Sequence, residues 1–216
     1  MGKKRKRKMN LYNEFFFKDR QNISLLSASI IVPEIINIFE PNSVVDFGCG
    51  MGEWLKIFKD NNIDDILGID GYHINKDNLL INKKNFIAHD LNKAIEIKKF
   101  DLAICLEVAE HLDYLSSETI VNSLVQSSDN IVFSAAIPGQ GGTGHINEQP
   151  HSFWANKFID HGYIVSDYLR IKFMENKKIP FWYRQNILIF SKNKNFKLIS
   201  DIDFSVPSWD KEEYFE

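Results

Sequence analysis

The chain has 216 residues, 44% of them hydrophobic and 25% charged, which suits one compact domain with a sizeable core. The formal net charge is −3, but residues 1–10 (MGKKRKRKMN) hold six of the 26 basic side chains and leave 20 against 29 acidic ones beyond them, which excludes a generic polyanion binder. Two cysteines, Cys49 and Cys105, are too few for a disulfide framework, and no apolar run is expected to approach the roughly 20 residues of a bilayer span, so the composition points to a soluble cytoplasmic protein.

The run KKRKRK reads as a disordered, solvated tail over residues 1–9, with a localisation signal or a phosphate-grazing arm as alternatives. Residues 10–39 read as helical, and Pro33 predicts two helices or a kink. SVVDF (43–47) is a short β-branched strand that runs into a glycine loop, Gly48-Cys-Gly50-Met-Gly52. A helix bearing Trp54, Leu55 and Phe58 follows, then three more buried strands: DILGID (65–70), NFIAHD (85–90) and FDLAICL (100–106). A helix is predicted from there to about residue 125, then a fifth strand, NIVFSAA (130–136). After the glycine-rich loop 135–151, Ser152 is positioned to cap a helix that Gly162 ends. YIVSDYLRI (163–171) and QNILIFSK (185–192) read as closing strands, and DKEEYFE as part of a tail over 193–216.

Near-continuous apolar strands alternating with helices predict an α/β fold, with a mostly parallel sheet covered on both faces. One domain is expected over residues 10–192, with an N-terminal helical extension. Ligands of such sheets bind beyond the carboxyl ends of the strands. Four features fall there: Asp46 to Gly52, Asp70-Gly71, Asp90-Leu91 and Leu106-Glu107. Asp70 follows Gly52 by 18 residues, near the spacing of an acid that accepts hydrogen bonds from a nucleotide ribose. Asp90 is placed to meet an adenine amino group. Three strand-end acids suit a ligand with donors and positive charge better than a pyrophosphate.

VVDFGCGMGEW, GID, HDL and FDLAICLEVAEHL together resemble, in chain order and spacing, the class I S-adenosylmethionine-dependent methyltransferases. The resemblance covers residues 43–136, and the strand pattern extends it to 192. It implies a Rossmann-like seven-stranded sheet and S-adenosyl-L-methionine as cofactor. Asp46, Gly48 and Gly50 would hold its methionine part, Asp70 and Gly71 its ribose, and Asp90 and Leu91 its adenine. Leu106 would line the pocket, with Glu107 at its border. Phe47 and Trp54 read as packing residues.

Methyl transfer needs an aligned acceptor, and an alcohol acceptor also needs its proton removed. His145, in the loop after the fifth strand, is the candidate base by location, with His111 and His151 as alternatives. The segment EVAEHL places Glu107, Glu110 and His111 on one face of a predicted helix. Three readings stay open. The segment resembles E-x-x-E-H families, ubiquinone-type and small-RNA 2′-O-methyltransferases, in which it holds a divalent metal; His145 or His151 would then complete the set. It can do acid–base work without metal. It can also anchor the loop and a helix start, the reading ranked first here.

GHINEQP with PFWYRQNILIF resembles bacterial and viral methyltransferases associated with surface-glycan synthesis, which implies a sugar hydroxyl as acceptor. Asn147, Glu148, Gln149, Trp182, Tyr183 and Arg184 offer polar groups and aromatic faces suited to a sugar ring, and Arg184 a phosphate partner. O-methylation of a small molecule or glycan is therefore expected. The alternatives are an RNA acceptor, a quinol or amine acceptor, and a non-catalytic cofactor-binding protein.

Overall fold

The computed structural model describes the backbone of residues 2–193 and the side chains of residues 21–193. The tail expected over 193–216 lies, from residue 194 on, outside the described residues. Seven strands form one sheet: β1 (Ser43–Phe47), β2 (Asp65–Asp70), β3 (Phe86–Ala88), β4 (Leu102–Leu106), β5 (Asn130–Ser134), β6 (Ile164–Ser166) and β7 (Leu188–Ser191). Their order is β3-β2-β1-β4-β5-β7-β6. The pairs from β3 through β5 are parallel, while β7 runs antiparallel to both β5 and β6.

Alternation along the strands divides the core between the two faces of the sheet. Val44, Ile66, Leu102, Ile104, Val132 and Ile189 face one layer, with α1 (Gly2–Phe39), α2 (Glu53–Asp60), α5 (Tyr168–Phe173) and α6 (Phe181–Asn186). Val45, Ile69, Ala103, Cys105, Phe133 and Phe190 face the other, with α3 (Ser117–Ser127) and α4 (His151–Asp160). On that second side Phe158 stacks on Phe190 at 4.2 Å and meets Phe133 edge-on at 5.5 Å, so truncating it to alanine would cost about 3–5 kcal/mol.

Several expectations need correction. The N-terminal helix runs from Gly2 through Pro33 to Phe39, so the KKRKRK run is assigned to the same helix as the apolar stretch after it. Lys and Arg are good helix formers, which a reading by charge alone passes over. Gln21–Phe39 (19 residues, mean hydropathy 1.6) is long and apolar enough to cross a membrane by length and composition, contrary to the expectation that no stretch is. One face of it belongs to the core, where Ala28, Ile31, Val32 and Ile35 are fully buried. The predicted strand 163–171 is β6 followed by α5, and the stretch 185–192 is the end of α6 followed by β7. The helix α4 begins at His151, one residue before the expected cap, while Gly162 does take the left-handed conformation (φ 81) at its end.

EVAEHL is not the start of a long helix. Glu107 is left-handed (φ 57), Ala109–His111 form one 3₁₀ turn, and α3 starts only at Ser117. The Glu110 carbonyl accepts the N–H groups of Ile146 (2.9 Å) and Asn147 (3.0 Å), so it is taken by a distant loop where a helix would have used it locally.

Candidate active site

The chain reverses its direction of travel across the sheet between β1 and β4, the switch point at which such sheets bind ligands. The loops after these two strands touch there. Gly48 (φ 82) lies so close to Val108 that a Cβ on it would overlap the valine side chain. Glycine serves both the left-handed backbone and the close approach.

A cavity of about 1550 Å³ opens at this point. Its lining includes all nine expected cofactor residues: Asp46, Gly48, Gly50, Asp70, Gly71, Asp90, Leu91, Leu106 and Glu107. The three expected catalytic residues, Glu110, His111 and His145, line it too. His151 does not. It begins α4, bonded to Asn186 Oδ1 at 3.4 Å, and burial together with the nearby Arg170 charge pulls its pKa down to about 4. His151 is therefore not among the cavity-lining trio that the structure brings together.

At the cofactor end, Asp70 closes the glycine loop. Its Oδ2 accepts the Gly50 N–H at 2.7 Å and its Oδ1 the Gly71 N–H at 2.6 Å. Asp46 is buried at the end of β1, and its Oδ2 has no hydrogen-bond partner. Glu53, in the first turn of α2, accepts the Met51 N–H at 3.1 Å and also lines the cavity. Burial raises the pKa of all three carboxyls, and their mutual repulsion adds to the rise at Asp46 and Glu53. A cationic ligand bearing N–H donors would relieve this strain. Asp90 sits two residues past β3 with Asn92 and Lys93 as partners, so it is a rim group. Trp54 packs edge-on against Tyr183 at 5.3 Å, and both rings contribute wall. Gln21, Ile23 and Ser24 of α1 cover the same cavity.

At the other end, Glu110, His111 and His145 form a cluster with one ligand atom from each within 4.8 Å of the others. The Glu110 carboxyl is buried and neither oxygen makes a full hydrogen bond; the backbone N–H groups of Glu110 itself and Ala136 offset only part of the cost of burial. Burial, then the Glu107 charge, hold its pKa far above the carboxylate range. His111 places Nδ1 3.2 Å from the Gly144 carbonyl, and the two imidazoles meet edge-on at 4.9 Å. Glu107 stands beside this trio with both oxygens engaged, by Asn186 Nδ2 (3.0 Å) and Gln140 Nε2 (3.2 Å). It is therefore committed to amides, which sets it apart from the metal set suggested by its spacing. A buried unpartnered carboxylate with two imidazoles is a donor set that fits a divalent cation of borderline hardness.

The residues expected to face a sugar behave differently from one another. Trp182 and Tyr183 line the cavity. Arg184 does not face it; its guanidinium donates to the Ile179 carbonyl (2.8 Å) and the Met174 carbonyl (2.5 Å), which disqualifies it as the phosphate partner suggested by the sequence. Asn147 is buried against Ser117 Oγ (3.0 Å), and Gln149 donates to Asn147. Glu148 carries the loop that holds His145. Burial alone would raise its pKa, but hydrogen bonds from His145, Gly139 and Gly141 outweigh burial and leave it lowered. Glu53, Gln140 and Asn186 were missed in the sequence. Only Glu53, directly after the glycine loop, left a local signal there.

This strand order with a glycine loop at the switch point is the architecture of class I methyltransferases. The sequence matches the methyltransferase-domain family over residues 5–127, more than half its length, and the chain belongs to that family. Among solved structures it is similar to the methyltransferase domain of bacterial CtHen1, at 19% identity and TM-score 0.54, covering 76% of this chain and 97% of that one. Streptomyces venezuelae DesVI matches at 14% identity and TM-score 0.58, covering 85% and 97%. The plantazolicin methyltransferase BpumL in complex with SAH matches at 16% and 0.55, covering 85% and 90%. No curated protein gave a significant sequence match.

Proposed function

We propose that this methyltransferase binds S-adenosyl-L-methionine in the cavity at the switch point and methylates a hydroxyl of a sugar, free in a glycan or nucleotide-linked. The observation that carries the reading is the division of one cavity into two chemically distinct ends. Asp46, Glu53 and Asp70 form an anionic, glycine-walled end suited to a cationic ligand. Glu110, His111 and His145 form the end suited to a hydroxyl. When bound, the cofactor supplies an electrophilic methyl on a sulfonium.

Asp46 and the loop backbone orient the amino acid part, and Asp70 faces the ribose. Leu91 and Leu106 supply apolar wall. At the acceptor end the trio takes up the hydroxyl and its proton, and Trp182 and Tyr183 offer aromatic faces to a sugar ring. A divalent cation, held by Glu110, His111 and His145, would lower the acidity barrier of that hydroxyl as a Lewis acid. The resemblance of GHINEQP and PFWYRQNILIF to enzymes of surface-glycan synthesis supports the sugar class, and the unpaired Cys49 and Cys105 support a cytoplasmic location.

RNA is the second reading, motivated by the KKRKRK run. Against it, six carboxylates (Asp46, Glu53, Asp70, Asp90, Glu107 and Glu110) and no Lys or Arg stand among the described residues lining the cavity. A phosphate backbone would find no cationic partner among them. The test is transfer from radiolabelled cofactor to a panel of glycans, nucleotide-linked sugars, RNA and quinols, with and without chelator. Labelling of polyols is expected, and labelling confined to RNA or quinols would overturn the sugar reading.

A further inference from the structure

Three N–H donors converge on one carboxylate in the loop after β5. Glu148 Oε2 accepts from the Gly139 N–H at 2.8 Å, and Oε1 accepts from the Gly141 N–H at 2.8 Å and from His145 Nδ1 at 3.0 Å. An ionised carboxylate has no proton to give, so in this arrangement the imidazole nitrogen facing it is the donor. We propose that Glu148 is a positioning residue, which fixes His145 in the Nδ1–H tautomer and leaves Nε2 as the lone-pair nitrogen of the candidate acceptor site. The role rests on the reading of His145 as an acceptor-site residue, and it extends that reading to a residue one step behind the chemistry.

Two further contacts support it. A Cβ on Gly142 would overlap the Cε1–Nε2 edge of His145, so the bare glycine is what lets the ring lie against its own loop. The loop is also anchored at its far end, where the Ile146 and Asn147 N–H groups bond the Glu110 carbonyl. His145 is thus held by a carboxylate at one nitrogen, by a bare glycine at its other edge, and by the backbone of its partner Glu110. The imidazole side chain is only 10% exposed and that of Glu148 only 20%, so water competes weakly for the Nδ1 bond. A carboxylate that orients an imidazole in this way suits it equally as a base and as a metal ligand, because both uses need a neutral ring with a known free nitrogen.

Glutamine cannot replace Glu148 fully. It has one accepting oxygen, while the donors converge on both oxygens of the glutamate, so at least one of these bonds turns into a donor–donor clash. The loss should therefore appear even in a variant of the same shape.

The experiment reads the tautomer directly. Long-range proton–nitrogen NMR on the full ¹⁵N-labelled chain, at a pH of about 8 where an ordinary imidazole is neutral, should show His145 as Nδ1–H. Glu148→Ala should move it toward Nε2–H, the form favoured by free imidazole side chains. Cobalt(II) titration then follows the same variants by visible absorption, with binding weakened about 10–100-fold. Cofactor affinity, read by calorimetry, should stay unchanged in the same variants. An Nε2–H ring in the wild type, or an Nδ1–H ring that survives in a folded Glu148→Ala chain, would overturn the proposal. Should Glu148→Ala fail to fold, the wild-type spectrum alone still decides, because an Nε2–H ring there overturns the proposal. A wild-type Nδ1–H ring that Glu148→Ala shifts, in a protein that methylates no polyol, would count against the sugar reading and leave the positioning role standing.

Discussion

The two ends of the cavity are built by different means. The cofactor end is made by consecutive residues: β1 delivers Asp46, the next six positions turn back across the strand end, and Asp70 arrives on the neighbouring strand to bond Gly50 and Gly71. The acceptor end is made by residues from three separated segments, 107–111, 139–148 and 182–186, none of which forms the site alone. Backbone conformation dominates the first end and side-chain convergence the second. A backbone site tolerates little change in the residues that set its turns. A convergent site can be re-aimed by changing any one of its supports.

Separate substitutions can break this division. The largest effect is expected for Glu110→Gln, which keeps the backbone carbonyl that anchors Ile146 and Asn147 and removes only the acid. Turnover should fall on the order of 10²–10³-fold, while calorimetry should find cofactor affinity within about twofold of wild type. An equal loss of both would mean that the two ends are one unit.

His151 lies beneath the acceptor end and tests whether that end has its own acid sensitivity. Its pKa is about 4 in the folded chain against an ordinary value of 6.5. The unfolded chain therefore binds the extra proton first, and the stability this group contributes is present above pH 6.5 and lost as pH falls toward 4. Urea unfolding across that window should show His151→Gln losing less stability than wild type, by up to about 3 kcal/mol. Parallel curves would refute the burial argument.

Asp70→Ala should act on the first end alone. Loss of its two backbone bonds and its charge should weaken S-adenosylmethionine about 10–100-fold, or about 1.5–3 kcal/mol. Wild-type affinity should itself fall as the pH is lowered, because the raised carboxyls of Asp46, Glu53 and Asp70 protonate earlier than ordinary acids and cease to attract a cation. Affinity independent of both changes would remove the electrostatic basis of the cofactor end.

Sequence pattern and structure part company along the same division. Local patterns placed β1, β2, β4 and β5 and the glycine loop, because buried parallel strands are continuous apolar runs and left-handed turns need glycine. YIVSDYLRI and QNILIFSK each read as one strand, since apolar periodicity does not separate a short strand from the helical turn joined to it. EVAEHL has helical spacing, yet Glu107 takes φ 57 and the Glu110 carbonyl bonds residues 146 and 147. NEQ looked like a sugar-facing segment, but Asn147 and Glu148 hold the loop from within.

From its own residues, the sequence determined the α/β class, the sheet's switch point and the strand-end acids Asp46 and Asp70 that line the cavity, because each depends on neighbours a few positions away. The tertiary structure alone decided which histidine joins Glu110, that Glu107 is bound by amides, and that Glu148 stands behind His145. Those outcomes depend on contacts between segments up to 79 residues apart, as between Glu107 and Asn186. No local pattern of hydrophobicity or turn chemistry encodes such a contact. It exists only once the sheet has brought the strand ends and their loops to one edge.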